Sequence, residues 1–197
     1  LDKSEIKIFN DDDKDMHGNR PCLGEGIWIS SKNSYRNNYW INKKGLLVEE
    51  GKELFHSSIL GMPGSHNLQN LLLATAAARK IGVSAANIEE SISSFKGVPH
   101  RLEEIYKLND FIIVNDSKAT NFEAAIKGLQ AIPTPSIVLA GGRLKQGDIR
   151  PWALQIKKTS IAVILFGEGA NTMERVLRQI NFEEDLYICK DLNEAVK

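Results

Sequence analysis

The chain has 197 residues, and its 25 lysines and arginines balance 25 aspartates and glutamates, so the formal net charge at pH 7 is zero. Hydrophobic residues make up 42% and charged residues 25%, which are ordinary globular values and exclude a disordered or strongly basic nucleic-acid-binding chain. No apolar run reaches the roughly 20 residues that cross a bilayer, and the two distant cysteines, Cys22 and Cys189, make no disulfide framework. These features predict a cytoplasmic protein with neither nucleic acid nor membrane as a partner, and the absence of an initiator Met suggests a piece of a longer protein.

The first part of the chain is predicted to hold short strands followed by helices. Clusters of Asn, Gly, Ser and Lys separate four candidate strands, Glu5–Phe9, Gly26–Ser30, Tyr39–Ile41 and Leu46–Glu49. An alanine-rich helix follows, with Ser65 as its predicted cap and Gly82 as its predicted stop, and a second helix begins at Ser84. The breaker Gly97-Val98-Pro99 marks the predicted boundary between domains 1–98 and 99–197.

After this boundary, strands are predicted to alternate with helices. Short apolar runs indicate four buried strands, Phe111–Val114, Ser136–Ala140, Ile161–Phe166 and Leu186–Cys189. Apolar strands in such an alternation are typical of a parallel sheet that is covered on both faces. Because ligands bind beyond the carboxyl ends of such strands, the candidate site lies in three segments, Asn115–Asn121, Gly141–Lys145 and Gly167–Gly169.

The segment Asn115-Asp116-Ser117-Lys118-Ala119-Thr120-Asn121 leaves the first of these strands and opens the next helix. The amides and the dipole at a helix start favour an anion. Lys118 adds a positive charge, Thr120 a hydrogen-bond donor, and Asp116 an acceptor suited to sugar hydroxyls. The alternative is an N-cap with solvated polar neighbours.

Three further segments carry candidate binding residues. In Gly141-Gly142-Arg143-Leu144-Lys145 the glycines permit a close approach to a ligand and Lys145 suits a carboxylate or phosphate, although a tight turn with an exposed lysine is the alternative. Arg101 can contact a phosphate through its planar guanidinium, or form an ion pair with a neighbouring glutamate, Glu103 or Glu104. Asn67 and Asn70, one turn apart, can both face a planar ligand such as adenine, and the alternative is helix capping by Ser65 and Asn67.

Several other site patterns are absent from the sequence. The P-loop spacing GxxxxGK[ST] occurs nowhere in the chain. The acidic run Asp11–Asp15 lacks the glycine and the final glutamate of an EF-hand loop, so we predict a polar loop there rather than a calcium site. The four histidines are not paired at zinc-ligand spacing, and no nucleophile elbow is present.

Taken in chain order, these segments resemble the Mur ligases of peptidoglycan synthesis. The resemblance covers nearly the whole chain and runs through Ile8-Phe9-Asn10-Asp11-Asp12, Gly64-x-His66-Asn67-x-x-Asn70, His100-Arg101-x-Glu103, the segment Asn115–Asn121 and Gly141-Gly142-x-x-Lys145. The segment Asn115–Asn121 is similar to that of the members that add D-glutamate. The resemblance implies an α/β fold in which residues 1–98 are the last part of a central ATPase domain. Residues 99–197 would then be a Rossmann-like C-terminal domain with a mostly parallel sheet, truncated at its end.

The resemblance also implies an activity and roles for individual residues. The family joins a carboxylate to an amine with ATP and Mg²⁺ through an acyl phosphate, and here the substrates would be UDP-N-acetylmuramoyl-L-alanine and D-glutamate, bound by a monomer. Lys118 and Arg101 would be the catalytic residues. The implied contacts are to the nucleotide from Asn67, Asn70, Arg101 and Asp116, and to D-glutamate from Thr120 and Lys145.

The family's P-loop, magnesium ligands and carbamylated lysine have no counterpart in this sequence and are expected upstream of it. We therefore expect no metal site in this chain and no ligase activity from the chain alone. Two alternatives stay open. One is a sister ligase that adds a different amino acid or a folate glutamate, and the other is a non-catalytic nucleotide-binding module without a P-loop.

Overall fold

The computed structural model describes residues 6–32, 34–108, 111–145 and 147–197. The chain forms two compact units, Leu1–Gly97 and Val98–Lys197. Each unit has its own hydrophobic core.

The first unit is built on a five-stranded mixed sheet. Its strands, in spatial order, are β1 (Ile8–Asn10), β2 (Ile27–Ser30), β3 (Tyr39–Ile41), β4 (Leu46–Glu49) and β5 (Lys52–His56). The first three strands are parallel and the last three are antiparallel. The helices are α1 (Lys14–Gly18), α2 (Arg20–Leu23), α3 (Ser65–Lys80) and α4 (Ala85–Ser93), with a 3-10 turn at Ser57–Leu60.

Helix α3 packs its apolar side against the parallel strands. Leu72 of the helix, Ile29 of β2 and Leu47 of β4 are completely buried in one cluster. The prediction that Ser65 caps this helix is wrong. The cap position is Gly64, at a φ of 99°, and Ser65 is the first helical residue. A glycine suits this position because side chains disfavour positive φ.

The second unit contains a two-stranded hairpin and a three-stranded parallel sheet. Strands β6 (Glu103–Leu108) and β7 (Phe111–Asn115) form the antiparallel hairpin. The parallel sheet has the order β10 (Asp185–Cys189), β9 (Ser160–Phe166), β8 (Ser136–Gly141). The helices are α5 (Phe122–Ala131), α6 (Arg150–Thr159), α7 (Ala170–Gln179) and α8 (Leu192–Ala195).

The alternation of strands and helices confirms the predicted α/β fold, but two details differ from the prediction. The strand at Phe111–Val114 is not buried, because its hairpin partner is β6 and Phe111 is 51% exposed. The parallel sheet is also not covered evenly on both faces. Val138, Val163 and Leu186 join the core beneath helices α5–α7.

On the opposite face of the parallel sheet, large apolar side chains are exposed. Leu139, Ile164 and Tyr187 lie side by side in register on adjacent strands. Leu139 is 41% exposed and Tyr187 is 54% exposed. Burial beneath the helices therefore accounts for the apolar residues on one face of this sheet and not for those on the other.

Candidate functional site

The segment before β6 is tied to the loop that follows β7. The backbone N–H of Lys118 donates to the carbonyl oxygen of His100 at 2.9 Å. The N–H of Leu102 donates to Oδ1 of Asp116 at 3.1 Å. A third hydrogen bond joins Nδ2 of Asn115 to Nδ1 of His100 at 2.9 Å. We call this set of three bonds the strap.

The strap brings Arg101 beside Asp116 and Lys118. The two residues that flank Arg101 both have left-handed backbones, with φ of 66° at His100 and 46° at Leu102. Such conformations cost on the order of 1–3 kcal/mol each in a non-glycine residue and persist only where the surroundings enforce them. Strained backbone of this kind is common at functional sites.

Arg101 is exposed, and its guanidinium has no ion-pair partner among the described residues. The neighbouring carboxylate of Glu103 instead accepts the backbone N–H of His100 at 2.8 Å and lies 3.6 Å from its Nδ1. The ion pair that was the alternative for Arg101 is therefore not formed. Its planar cation is left available for an external anion.

Asp116 is partly buried and already contributes to the fold. Its Oδ1 accepts from Leu102, and its carboxylate packs directly against Gly128 of α5, where a Cβ atom would overlap it. The carboxylate is thus fixed in position before any ligand arrives. A fixed acceptor of this kind suits hydroxyl recognition because little side-chain entropy is lost on binding.

Lys118 and Thr120 are two exposed polar residues of the same loop. A turn in which the N–H of Thr120 donates to the carbonyl oxygen of Lys118 at 2.8 Å separates the two side chains along the loop. Asn121 then caps α5 by accepting the N–H of Ala124 at 2.8 Å, which confirms the predicted helix start. An ammonium and a hydroxyl therefore lie beside a helix N-terminus, which favours anions.

The twin glycines after β8 are each explained by the local structure. The N–H of Gly142 donates to the carbonyl oxygen of Phe166 at 3.2 Å, and the N–H of Gly169 donates to the carbonyl oxygen of Gly142 at 2.9 Å. A Cβ atom on Gly141 would overlap the ring of Phe166. Close approach to Phe166 accounts for Gly141, whereas the φ of 97° accounts for Gly142, where a Cβ atom would meet no other atom within 4 Å.

Lys145 follows the glycines and is exposed, without a hydrogen-bond or ion-pair partner among the described residues. Its loop runs beside the start of α5, because a methyl group on Gly147 would lie 3.6 Å from Cδ2 of Phe122. Thr120 lies two residues before Phe122, and Lys145 lies two residues before Gly147. The two loops that carry the predicted D-glutamate contacts are therefore neighbours.

In the first unit, the two asparagines of α3 differ in their surroundings. Asn67 is 2% exposed, and its Nδ2 donates to the carbonyl oxygen of Pro63 at 2.6 Å, so this side chain holds the turn before the helix. Asn70 is exposed and has no side-chain partner among the described residues. Asn70 is the one whose amide is open to a ligand.

Two residues of the site received no role in the sequence analysis. His100 and Asn115 both take part in the strap, and Asn115 also bonds within its own loop, since its Oδ1 accepts the N–H of Ser117 at 3.1 Å. The sequence indicated them by placing both inside segments that carry the family resemblance, His100-Arg101-x-Glu103 and Asn115–Asn121. Their function as holders could not be seen without the pairing of the segments in space.

Neither a metal centre nor a membrane segment is found in the part of the chain that the structure describes. No group of three or more His, Cys, Asp or Glu side chains there is arranged to hold a metal ion. No helix there has both the length and the hydropathy to cross a membrane. The acidic run after β1 is occupied instead by internal contacts, with Asp13 capping α1 and Asp11 paired with Arg20 at 3.2 Å.

Solved structures with the same fold are Mur enzymes and a folylpolyglutamate synthase by name. The chain matches the UDP-N-acetylmuramate-alanine ligase MurC of Thermotoga maritima with a TM-score of 0.68 and 17% identity, covering 96% of this chain and 44% of that chain. It matches MurF of Acinetobacter baumannii with a TM-score of 0.67 and 16% identity, covering 100% of this chain and 45% of that one. A folylpolyglutamate synthase of Mycobacterium tuberculosis gives 0.66 at 13% identity, covering 92% of this chain and 43% of that one. These likenesses define the fold as that of the Mur ligase and folylpolyglutamate synthase class.

The sequence relatives of this chain are ligases of one kind by name. The chain is 48% identical over 200 residues to UDP-N-acetylmuramoylalanine--D-glutamate ligase of Prochlorococcus marinus MIT 9313, covering 100% of this chain and 44% of that protein. It is 42% identical to the ligase of the same name from Synechococcus sp. CC9902, again covering 100% of this chain and 44% of the relative. No family model matches the chain. In sequence, therefore, the chain is a homologue of the Mur ligases, and it spans less than half the length of the relatives it matches.

Proposed function

We propose that this chain belongs to a UDP-N-acetylmuramoylalanine--D-glutamate ligase, in which it supplies part of the nucleotide site and most of the D-glutamate site. Residues 1–98 are the last part of the central ATPase domain, and residues 99–197 are most of the C-terminal domain. The observation that carries the proposal is the strap, because it gathers an unpaired arginine, a fixed carboxylate and an exposed lysine around one loop.

The reaction is the ATP-dependent formation of an amide bond. A carboxylate oxygen of UDP-N-acetylmuramoyl-L-alanine attacks the γ-phosphorus of ATP and ADP leaves. The amine of D-glutamate then attacks the acyl carbon, loses a proton, and phosphate departs with its bonding electron pair. Catalysis of such transfers depends mainly on positioning and on neutralising the charge of the phosphoryl group.

The residues of the second unit divide between the nucleotide and the amino acid. Arg101 and Lys118 neutralise charge on the phosphates and on the reacting carboxylate, and Asp116 accepts a ribose hydroxyl. Thr120 and Lys145 bind the two carboxylates of D-glutamate, since both are exposed on neighbouring loops. A dicarboxylate amino acid needs two such anchors to be held in one orientation.

In the first unit, Asn70 contacts the base with its exposed amide. Asn67 acts in the same subsite, where its buried amide shapes the turn before α3. No group of three or more His, Cys, Asp or Glu side chains among the described residues is arranged to hold magnesium. We assign its ligands, and the loop that cradles the triphosphate, to the part of the ligase that this chain does not span. We also propose that the enzyme is a cytoplasmic monomer whose partners are its small-molecule substrates.

The test is a coupled assay of the full-length protein that contains this chain. Phosphate release and a new amide product should require ATP, UDP-N-acetylmuramoyl-L-alanine and D-glutamate together. L-Glutamate, L-alanine and a folate substrate serve as competitors. Turnover of another amino acid with rejection of D-glutamate would favour a sister ligase, and nucleotide binding without turnover would favour a non-catalytic module. The 197-residue chain alone should release no phosphate under the same conditions.

A further inference from the structure

Both polar atoms of the Gln69 side-chain amide form hydrogen bonds with residues at the carboxyl end of β1 and just after it. Its Nε2 donates to Oδ2 of Asp12 at 3.3 Å, and its Oε1 accepts from Nδ2 of Asn10 at 3.1 Å. The bonds join residues 57 and 59 positions apart in the chain. These bonds therefore connect the second turn of α3 to the end of β1 and to the loop that follows it.

Asp12 is itself held firmly by the end of β2. Its carboxylate accepts from Oγ of Ser30 at 2.7 Å, from the backbone N–H of Ser31 at 2.7 Å and from Oγ of Ser31 at 2.5 Å. Burial alone raises the pKa of Asp12, but the hydrogen bonds from Ser31, Ser30 and Gln69 outweigh it and leave the pKa below its usual value. Gln69 is thus bonded to an ionised and immobile partner, and such charge-assisted bonds are stronger than neutral ones.

Helix α3 needs such a tie because its N-terminus has no capping side chain. The cap residue is Gly64, and no side chain accepts the first backbone N–H groups. Asn67 in the first turn bonds to Pro63, which lies within the same local segment. Gln69 relates these turns to the sheet through hydrogen bonds, in addition to the apolar packing of Leu71 and Leu72.

Asn70 is the next residue along the helix and is exposed without a side-chain partner among the described residues. A rotation of the helix moves its amide sideways, and the bonds of Gln69 oppose that rotation. We propose that Gln69, held by Asn10 and Asp12, is a positioning residue that aims the amide of Asn70 at the base of the nucleotide. This inference rests on the proposed function, because it takes the nucleotide to be the ligand of Asn70.

The decisive variant is Gln69→Met in the full-length enzyme. Methionine keeps the length and the helix propensity of glutamine but cannot form either bond. The matched control is Gln130→Met in α5, where Gln130 Nε2 donates to Oε1 of Gln155 at 3.1 Å on an exposed surface. The second arm is Asn70→Ala, alone and combined with Gln69→Met.

We expect Gln69→Met to raise the KM for ATP roughly fivefold, the loss of about one net hydrogen bond. The kcat and the KM for D-glutamate should stay within about twofold, and Gln130→Met should change neither KM. In the Asn70→Ala background, Gln69→Met should have no further effect on the KM for ATP, since the residue that it aims is gone. An additional, independent rise in that background would overturn the positioning role.

Hydrogen exchange in the 197-residue chain provides a readout that does not depend on catalysis. Gln69→Met should speed exchange of the backbone amides in the first two turns of α3, and Gln130→Met should leave them unchanged. Unchanged exchange in Gln69→Met would overturn the tie itself. Faster exchange with an unchanged KM for ATP would overturn the aiming role while the proposed function stands. Absence of ligase activity in the unaltered full-length enzyme would overturn the proposed function and this inference together.

Discussion

Replacement of Arg101 by alanine tests whether the cation held by the strap serves the nucleotide. The side chain is exposed and has no ion pair or hydrogen bond to lose among the described residues, so the free energy of unfolding should change by less than about 0.5 kcal/mol. In the full-length enzyme, the variant should lose the proposed contact of Arg101 to a phosphate. A hydrogen bond to a charged group contributes about 1.5–3 kcal/mol. The KM for ATP should therefore rise roughly 10- to 150-fold.

The assay is steady-state phosphate release at varied ATP and saturating D-glutamate, followed by the reverse titration. The KM for D-glutamate should stay within about twofold, because the proposed anchors of that substrate are other residues. Arg101→Lys should recover only part of the loss, since an ammonium cannot make the bidentate contact of a guanidinium. Arg178→Ala is the control, as Arg178 is an exposed arginine of α7 that lies 3.8 Å from Glu174. A KM for ATP that stays at the wild-type value in Arg101→Ala would refute the reasoning.

Three further changes probe the amino-acid site, the pH response and the core. Lys145→Ala should raise the KM for D-glutamate about tenfold and the KM for ATP less than about twofold; equal losses for both substrates would contradict the assignment. Burial alone raises the pKa of Glu49, but hydrogen bonds led by that from Arg79 leave it below the usual 4.5. This carboxylate thus adds stability above pH 4.5 that is lost as the pH falls through its lower folded value, and Glu49→Gln should flatten the slope of unfolding free energy with pH in acid. Leu72→Ala should cost about 2–5 kcal/mol in urea unfolding because Leu72 is completely buried, while Leu154→Ala at a half-exposed position should cost far less.

Strands and helices with a strong apolar period were predictable, and the missed elements are those without one. Strands β3 and β4 have the predicted bounds, and the helix cap at Asn121 is where its side chain indicates. Strand β5 was missed because Lys52 and Glu53 face solvent and Phe55 is its single buried side chain. Glu5, where the first strand was predicted to begin, lies outside the described residues.

The hairpin of β6 and β7 shows why burial could not be predicted from an apolar run. Strand β6 mixes charged and apolar residues and gives no clear period, so β7 was expected to join the parallel sheet. Pairing with β6 leaves Ile113 and Tyr106 about half exposed. The partner of a strand is a long-range property, and sequence patterns report mainly on a strand's own two faces.

The candidate site was predictable as a set of segments but not as a set of contacts. The residue types in Asn115–Asn121 and at Arg101 indicated anion and sugar recognition, and the structure then joins these segments through bonds in which backbone atoms of His100, Leu102 and Lys118 take part. Backbone carbonyl and N–H groups are the same in every residue, so sequence cannot reveal which of them pair. Asn67 illustrates the converse, since a polar side chain of the expected type is buried and bonded to Pro63.

The strap also indicates how the second unit presents its charges. His100 and Leu102, one on each side of Arg101, have left-handed backbones. Each conformation costs free energy, so both would change to an ordinary backbone conformation in a free segment. Bonds from Lys118 and to Asp116 oppose that change, so the arginine is held at a fixed place relative to the loop. Any movement of this loop must carry the arginine with it. The strap therefore holds the Asp116 carboxylate and the backbones of Arg101 and Lys118 in one element, which lowers the entropy cost of bringing these three residues around a substrate.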